Sequence, residues 1–127
     1  MSVQAVAKGV RQSPRKIGVV AALVRGRTVA DALVILEHTP RRAAKPLVDV
    51  IKSAAANAEH NHNLNPKTLR IVSINLGPGP RYKRYMPISH GRAHEYQHRT
   101  THIRVMVDGE QRVARKVAKP ETKETKE

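Results

Sequence analysis

The chain has 127 residues with 24 Lys and Arg against 10 Asp and Glu, a formal charge of +14, and it contains no Cys, Trp or Phe. This composition suits one domain with an aliphatic core, and without cysteine it excludes a disulfide framework and thiolate metal sites. Because solubility of a small domain needs a net charge of only about 2 to 8, the excess predicts a polyanionic partner, nucleic acid ahead of an anionic membrane or an acidic protein.

The first 26 residues predict a strand followed by a helix. Residues 3–10 mix apolar and polar side chains at strand-like spacing. Ser13 and Pro14 then supply an N-cap and a proline suited to the first helical position, and Gly26 supplies a C-cap. The most apolar run, residues 17–24, is too short for the roughly 20 residues of a membrane span, so no membrane association is expected. The helical stripe consists of Ile17, Val20, Ala21 and Val24.

Two more helices are predicted before the middle of the chain. The first opens at Thr28 with Asp31 as a partial capping box, and it must end before Pro40. The second is predicted to start at Thr39–Pro40 and to run to about His60, although Pro46 leaves open whether its regular part begins later or its first turns are kinked. Residues 60–66 predict a loop. The stripes are Val29, Ala32, Leu33 and Leu36, then Leu47, Val50, Ile51, Ala54, Ala55 and Ala58.

The second half predicts two strands separated by a long connection. Residues 69–76 form the first strand, and a slip of its apolar phase between Ile71 and Val72 predicts either a bulge or burial of both faces. Residues 103–107 alternate cleanly and form the last strand. The connection of about 77–101 is long enough to indicate function or disorder. If both strands continue outward, it becomes a hairpin turning near residues 89–91 and projecting about 40 Å, which a partner must stabilise.

One alternative for this connection is a zinc site. The stretch HEYQH matches the H-E-x-x-H pattern of zinc peptidases, with His94 and His98 as ligands and Glu95 as general base. That chemistry requires a helix, whereas the segment follows Pro and Gly residues and precedes the β-branched Thr100 and Thr101. We therefore predict no enzyme activity, no metal and no cofactor. Histidines in a basic segment are better suited to hydrogen-bonding phosphates or stacking on bases.

The basic residues fall into groups at the first helix and along the connection. Tyr82, Tyr85 and Met86 alternate with the cations of the connection, whose one acidic residue is Glu95. This mixture of positive charge with flat or soft side chains is typical of a surface that lies against nucleotides. The groups, all expected to contact nucleic acid, are Arg11, Arg15 and Lys16 at the start of the first helix, Arg25 and Arg27 at its end, and Arg81, Lys83, Arg84, Arg92 and Arg99 in the connection.

Three blocks carry a resemblance to a known family: SPRKIGVVAALVRG (13–26), SAAANAEHN (53–61) and KRYMPISHGRAHEYQHRTTHIRV (83–105). Over about residues 3–109 the chain resembles the bacterial type of the family of protein twenty-two of the large ribosomal subunit. The resemblance implies an α+β fold, with three helices packed on a small three-stranded antiparallel sheet and a long protruding β-hairpin. One domain is expected over 1–110, and composition predicts a disordered tail over 111–127.

The resemblance also implies a function. Members of the family bind large-subunit rRNA, support subunit assembly, meet neighbouring ribosomal proteins, and line the nascent-polypeptide exit tunnel with the hairpin tip. The chain is then expected to be cytoplasmic and ribosome-bound, and not a homo-oligomer. A free-standing basic nucleic-acid-binding protein or RNA chaperone is the alternative. The expected tip is Met86, Pro87, Ile88, Ser89, His90, Gly91, Arg92 and Ala93, and the matching rRNA contacts are Arg11, Ser13, Arg15, Lys16, Arg99, Thr100, Thr101 and His102.

Overall fold

The computed structural model describes residues 2–112, in which three strands and three helices form an α+β domain with an antiparallel sheet of order β1-β3-β2. This is the fold class predicted from the sequence. The elements are β1 (Val3–Val10), α1 (Pro14–Val24), α2 (Val29–Glu37), α3 (Ala44–His62), β2 (Arg70–Pro87), a short 3-10 turn (Ser89–Gly91) and β3 (Ala93–Asp108).

The core is aliphatic, as the composition requires, and lies between the helices and one face of the sheet. Alternate residues of the central strand β3, Ile103, Val105 and Val107, are fully buried. Helix α3 lies against β1 and β3, and α1 lies against β2. Burying one such side chain stabilises the fold by about 1.5–3 kcal/mol. The predicted stripes of all three helices point into this core, apart from the partly buried Leu33 and Ala55.

The predicted start of α3 at Thr39–Pro40 is wrong, because the helix begins at Ala44. Thr39 instead terminates the preceding helix: its Oγ1 donates a hydrogen bond to the carbonyl of Ile35 at 2.6 Å. Pro46 then falls in the first turn of α3, where a missing N–H leaves no intrahelical bond unmade. The helix continues to His62 and ends at Asn63 in the left-handed conformation. Residues 40–43 therefore form an irregular connection that is exposed at residues 40–42 and buried at Ala43.

The phase slip in β2 is a β-bulge, one of the two predicted explanations. Ile71 pairs with Val107 and Ser73 with Met106, so Val72 is an extra residue, and it is 57% exposed. The edge of β2 at the bulge also bonds to the α1–α2 connection, since the Gly26 N–H donates to the Ile71 carbonyl. The bulge thus restores the inward direction of the apolar side chains on both sides of it.

The long connection is a hairpin, as predicted. Strands β2 and β3 stay paired as far as Pro87 and Ala93, and the turn is at residues 89–91 with His90 in the left-handed conformation. A second bulge at Gly79 and Pro80 separates the body of the sheet from residues 81–99, which we call the arm. Every residue of the arm is exposed. The arm therefore has no core of its own.

The chain after β3 returns to the end of α3. Gln111 forms a β-bridge with Leu64, and the Arg112 N–H donates to the Asn63 carbonyl at 2.8 Å. Leu64, although it lies in the predicted loop, is fully buried. These two residues open the predicted tail, and the rest of that tail lies outside the described residues.

Candidate nucleic-acid interface

Two buried threonines fix the root of the arm. The Thr100 Oγ1 donates to the Pro80 carbonyl and the Thr101 Oγ1 donates to the Gln12 carbonyl, both at 2.6 Å. The first bond ties the two strands together across the second bulge, and the other ties β3 to the segment before α1. Thr100 and Thr101, predicted as RNA contacts, thus direct their hydroxyls into the protein. These hydrogen bonds therefore suit the two threonines to holding the neighbouring basic residue Arg99 in position.

His102 is also fixed from within the protein. Its Nδ1 accepts a hydrogen bond from the Gly9 N–H at 3.0 Å, and Gly9 adopts a φ of 70° in the irregular part of β1. An Nδ1 that accepts a hydrogen bond carries no proton, so neutral His102 has its proton on Nε2. His102 can therefore act as a hydrogen-bond donor through Nε2 to a phosphate or hydroxyl oxygen.

A groove of about 860 Å³ lies beside the root of the arm, where three parts of the chain meet. Five of its side chains are cationic and none is a carboxylate. None of the five forms an ion pair with another of residues 2–112, whose ion pairs are elsewhere. We refer to this feature as the groove. It is lined by Arg11, Gln12, Ser13, Lys16, Arg41, Arg42, Ala43, Gln97, His98, Arg99 and Thr100.

Arg41 and Arg42 were missed by the sequence reasoning. They lie in the connection between α2 and α3, which the sequence assigned to the first turns of a helix. The structure brings them opposite Arg11 and Lys16 of the α1 end and Arg99 of the arm root. An arginine doublet directly after a helix-ending proline was the available signal. Exposed residues in surface connections are common binding residues.

The three predicted contact residues on α1 and just after it, apart from Lys16, also lie outside the groove. Arg15 is exposed on the first turn of α1. At the other end of that helix the Arg25 Nη2 donates to the Ile74 carbonyl and the Arg27 Nε donates to the Leu23 carbonyl, both at 2.9 Å. The Arg25 guanidinium therefore ties the end of α1 to β2, and the Arg27 guanidinium caps a carbonyl in the last turn of α1, while both residues remain exposed.

The HEYQH stretch lies in β3 and not on a helix. Residues four apart on a strand are separated by about 13 Å, so His94 and His98 do not form the adjacent pair that the zinc pattern requires. They pair across the hairpin with Met86 and Tyr82. Among residues 2–112 no group of three or more His, Cys, Asp or Glu side chains is placed to hold a metal ion.

The tip of the arm is a tight turn. The Ile88 N–H donates to the Arg92 carbonyl at 2.8 Å and closes the turn, with the 3-10 residues between them. Ile88 and Met86 are exposed, as are all the predicted tip residues. The tip therefore presents a small apolar and histidine-bearing surface at the far end of a cationic ribbon.

Comparison with known proteins supplies the relationship. The profile of the family described as Ribosomal protein L22p/L17e matches residues 5–108. The chain is 50% identical over 107 residues to the protein named Large ribosomal subunit protein uL22 of Clostridioides difficile, covering 84% of this chain and 96% of that one. It is 46% identical over 107 residues to the protein of that name from Clostridium perfringens, with the same coverage. It is 44% identical over 108 residues to the protein of that name from Herpetosiphon aurantiacus, covering 85% of this chain and 96% of that one.

None of the helices between residues 2 and 112 has the length and apolar character needed to span a membrane.

Proposed function

The chain belongs to the ribosomal protein L22p/L17e family, and from that premise we propose that it binds large-subunit rRNA through the groove and the arm. It is a structural constituent of the large ribosomal subunit and not an enzyme. The proposal specifies the surfaces, the groove and the arm, through which the chain binds the rRNA of that subunit. The observation that carries it is the arm itself, a fully exposed ribbon with five Lys and Arg against one Glu. Its root lies beside the groove, which also has five cationic side chains, and Arg99 belongs to both sets.

An arm of this kind is unfavourable for a free protein. A two-stranded ribbon without a hydrophobic face is marginal in water, and its cations repel one another. Contact with phosphates removes that repulsion and releases condensed counterions. If each of the five cations of the groove neutralises one phosphate, the slope of log K against log salt is about −3.5 to −4.5. Base-specific readout is not needed, because folded RNA can be recognised by its shape.

The exposed tip supports a second part of the proposal, that it lines the exit tunnel for the nascent polypeptide. Arg84 and Arg92 would then be the charges closest to the tunnel wall. A photo-crosslinking amino acid at residue 88 tests this in ribosomes stalled on a defined nascent chain. We expect crosslinks to the nascent chain from residue 88 and none from a matched position at Val34, which is exposed on α2 in the globular part. Absence of crosslinks from residue 88 would contradict the tunnel assignment.

Co-sedimentation tests the rRNA assignment. Tagged protein expressed in cells should remain with large subunits through a gradient at high salt, because many contacts must break together for release. Charge-neutralised protein, with Arg11, Lys16, Arg41 and Arg42 replaced by Gln, should be lost from subunits in the same gradient. A free-standing nucleic-acid binder or RNA chaperone in the cytoplasm would wash off in its unaltered form. That result would refute the proposed function.

A further inference from the structure

We propose that the arm is two-sided: one face lies along rRNA phosphates, and the opposite face receives unpaired RNA bases by stacking. This proposal rests on the proposed rRNA binding and specifies which part of the RNA each face meets. Its basis is the strand register. Directly paired residues of an antiparallel hairpin project their side chains to the same side, and successive residues project to opposite sides.

The register divides the arm side chains into two chemically different sets. The first, the cationic face, contains the only carboxylate of the arm, and the second, the stacking face, consists of flat or polarizable side chains with one formal charge. The cationic face is Arg81 with Arg99, Lys83 with Gln97, and Tyr85 with Glu95. The stacking face is Tyr82 with His98, Arg84 with Tyr96, and Met86 with His94.

The cationic face is continuous with the groove. Ile103 and Thr101 of β3 are buried toward the helices, and β3 keeps its alternation because the second bulge adds its extra residue to β2. Arg99 and Gln97 consequently point to the helix side, where both line the groove. One phosphate backbone can therefore run along the groove and onto the arm. The stacking face points to the opposite side of the sheet, and only at the root of the arm, where His98 and Thr100 also border the groove, do the two meet.

Glu95 lies on the cationic face, where its Oε1 is 3.6 Å from the Lys83 Nζ. Both side chains are exposed, so the pair contributes at most about 1 kcal/mol and can open when a phosphate replaces the carboxylate. The stacking face has no acid to repel RNA and one cation, Arg84. Its guanidinium is cross-strand from Tyr96 and is planar, so it can stack on a base as well as contact a phosphate.

The rings of the stacking face are accessible, and two of them contact each other. Tyr82 is 45% exposed and Tyr96 is 40% exposed. The Tyr96 ring packs edge-on against that of His98, with centroids 5.3 Å apart and an interplanar angle of 80°. His98 also borders the groove, and this contact places its ring beside that of Tyr96 on the stacking face. On β2, where Tyr82, Arg84 and Met86 alternate, side chains two residues apart are about 6.6 Å apart, roughly twice the ~3.4 Å spacing of stacked nucleotides, which leaves room for one base.

Two RNA probes test the proposal with the full chain: a hairpin RNA with an unpaired purine loop and a fully paired duplex of equal phosphate number. Tyr82→Leu with Tyr96→Leu should weaken binding to the looped RNA by about 5- to 150-fold for each base that loses its stack. The same variant should bind the duplex like the unaltered protein and keep the salt slope. Tyr85→Leu, which removes a 70% exposed tyrosine from the other face, is the matched control and should not discriminate between the probes.

The cationic face should respond differently. Arg81→Gln with Lys83→Gln should weaken binding to both RNAs and reduce the magnitude of the salt slope by about 2, one for each cation. All these side chains are outside the core, so circular dichroism should show an unchanged Tm. In Tyr85→Leu protein the remaining tyrosines are Tyr82 and Tyr96, so quenching of tyrosine emission by the looped RNA alone would report on the stacking face directly.

The outcomes separate the two proposals. If the unaltered protein binds neither RNA, both the rRNA assignment and the two-sided arm are overturned. If it binds both RNAs but Tyr82→Leu with Tyr96→Leu weakens the two equally, or neither, only the two-sided arm fails. Selective loss of the looped RNA with an unchanged salt slope supports it.

Discussion

Replacement of Gly79 by Ala should destabilise the root of the arm, and the structure shows why. Gly79 has no unusual φ, so alanine can adopt its backbone conformation. The added Cβ would instead collide with the Thr100 Oγ1 and would lie 3.3 Å from the Thr100 Cβ and carbonyl carbon. The hydroxyl can move only by breaking its 2.6 Å bond to the Pro80 carbonyl, because a β-branched side chain has few rotamers.

The expected cost follows from these two contacts. Loss of the part-buried hydroxyl–carbonyl bond removes about 1 kcal/mol, and the close approach to the Thr100 backbone adds about 1 kcal/mol or more of overpacking. Gly79→Ala should therefore lower the free energy of unfolding by about 2–3 kcal/mol. For a chain of this size the corresponding fall in Tm is about 6–10 °C.

Urea unfolding followed by circular dichroism measures this cost, and the chain contains its own control. At Gly77, two residues earlier on the same strand, a Cβ would approach only the His102 Cβ, at 4.0 Å. Gly77→Ala should thus be close to neutral. In a Thr100→Ala background the Gly79→Ala cost should shrink by about 1 kcal/mol, since the hydrogen bond is already absent. Equal stability of Gly77→Ala and Gly79→Ala, or strict additivity with Thr100→Ala, would refute the reasoning.

Other substitutions test separate parts of the account. Leu64→Ala should lower the free energy of unfolding by about 2–5 kcal/mol in urea, because this loop side chain is fully buried; Val72→Ala at the exposed bulge is the control and should change it by less than about 0.5 kcal/mol. Glu95→Gln should cost less than about 1 kcal/mol of stability and should strengthen rRNA binding in a filter assay, whereas weaker binding would mean that this carboxylate has a positive role. Arg41→Gln with Arg42→Gln should reduce the magnitude of the salt slope by about 2, and an unchanged slope would remove these arginines from the interface.

Local patterns were sufficient to predict most of the fold. The helical stripes and the strands follow from side-chain periodicity, whereas the hairpin also required that both strands continue outward, as the family resemblance implied. The slip of apolar phase at Ile71 and Val72 predicted either a bulge or burial of both faces, and the structure has the bulge. The start of α3 could not be predicted in the same way. Thr39 can cap either the start of one helix or the end of another, and in the structure its hydroxyl bonds to the Ile35 carbonyl at the end of α2.

The candidate interface was only partly predictable, since it depends on long-range assembly. Arg41 and Arg42 line one groove with Arg99 because the fold brings the α2–α3 connection near the arm root, and no local pattern specifies that proximity. The second bulge at Gly79 and Pro80 sets which arm residues share a face. In the sequence the cationic and aromatic residues of the arm alternate, and only the pairing of β2 with β3 shows which of them share a face.

Lysine footprinting tests most directly whether the groove and arm are the rRNA interface. Free protein and intact large subunits are acetylated under matched conditions, and modification at Lys16 in the groove and Lys83 on the arm is measured by mass spectrometry. Both side chains are exposed in the protein by itself, so both should react there and be strongly protected in the subunit. Equal rates of acetylation at Lys16 and Lys83 in the two states would contradict the account.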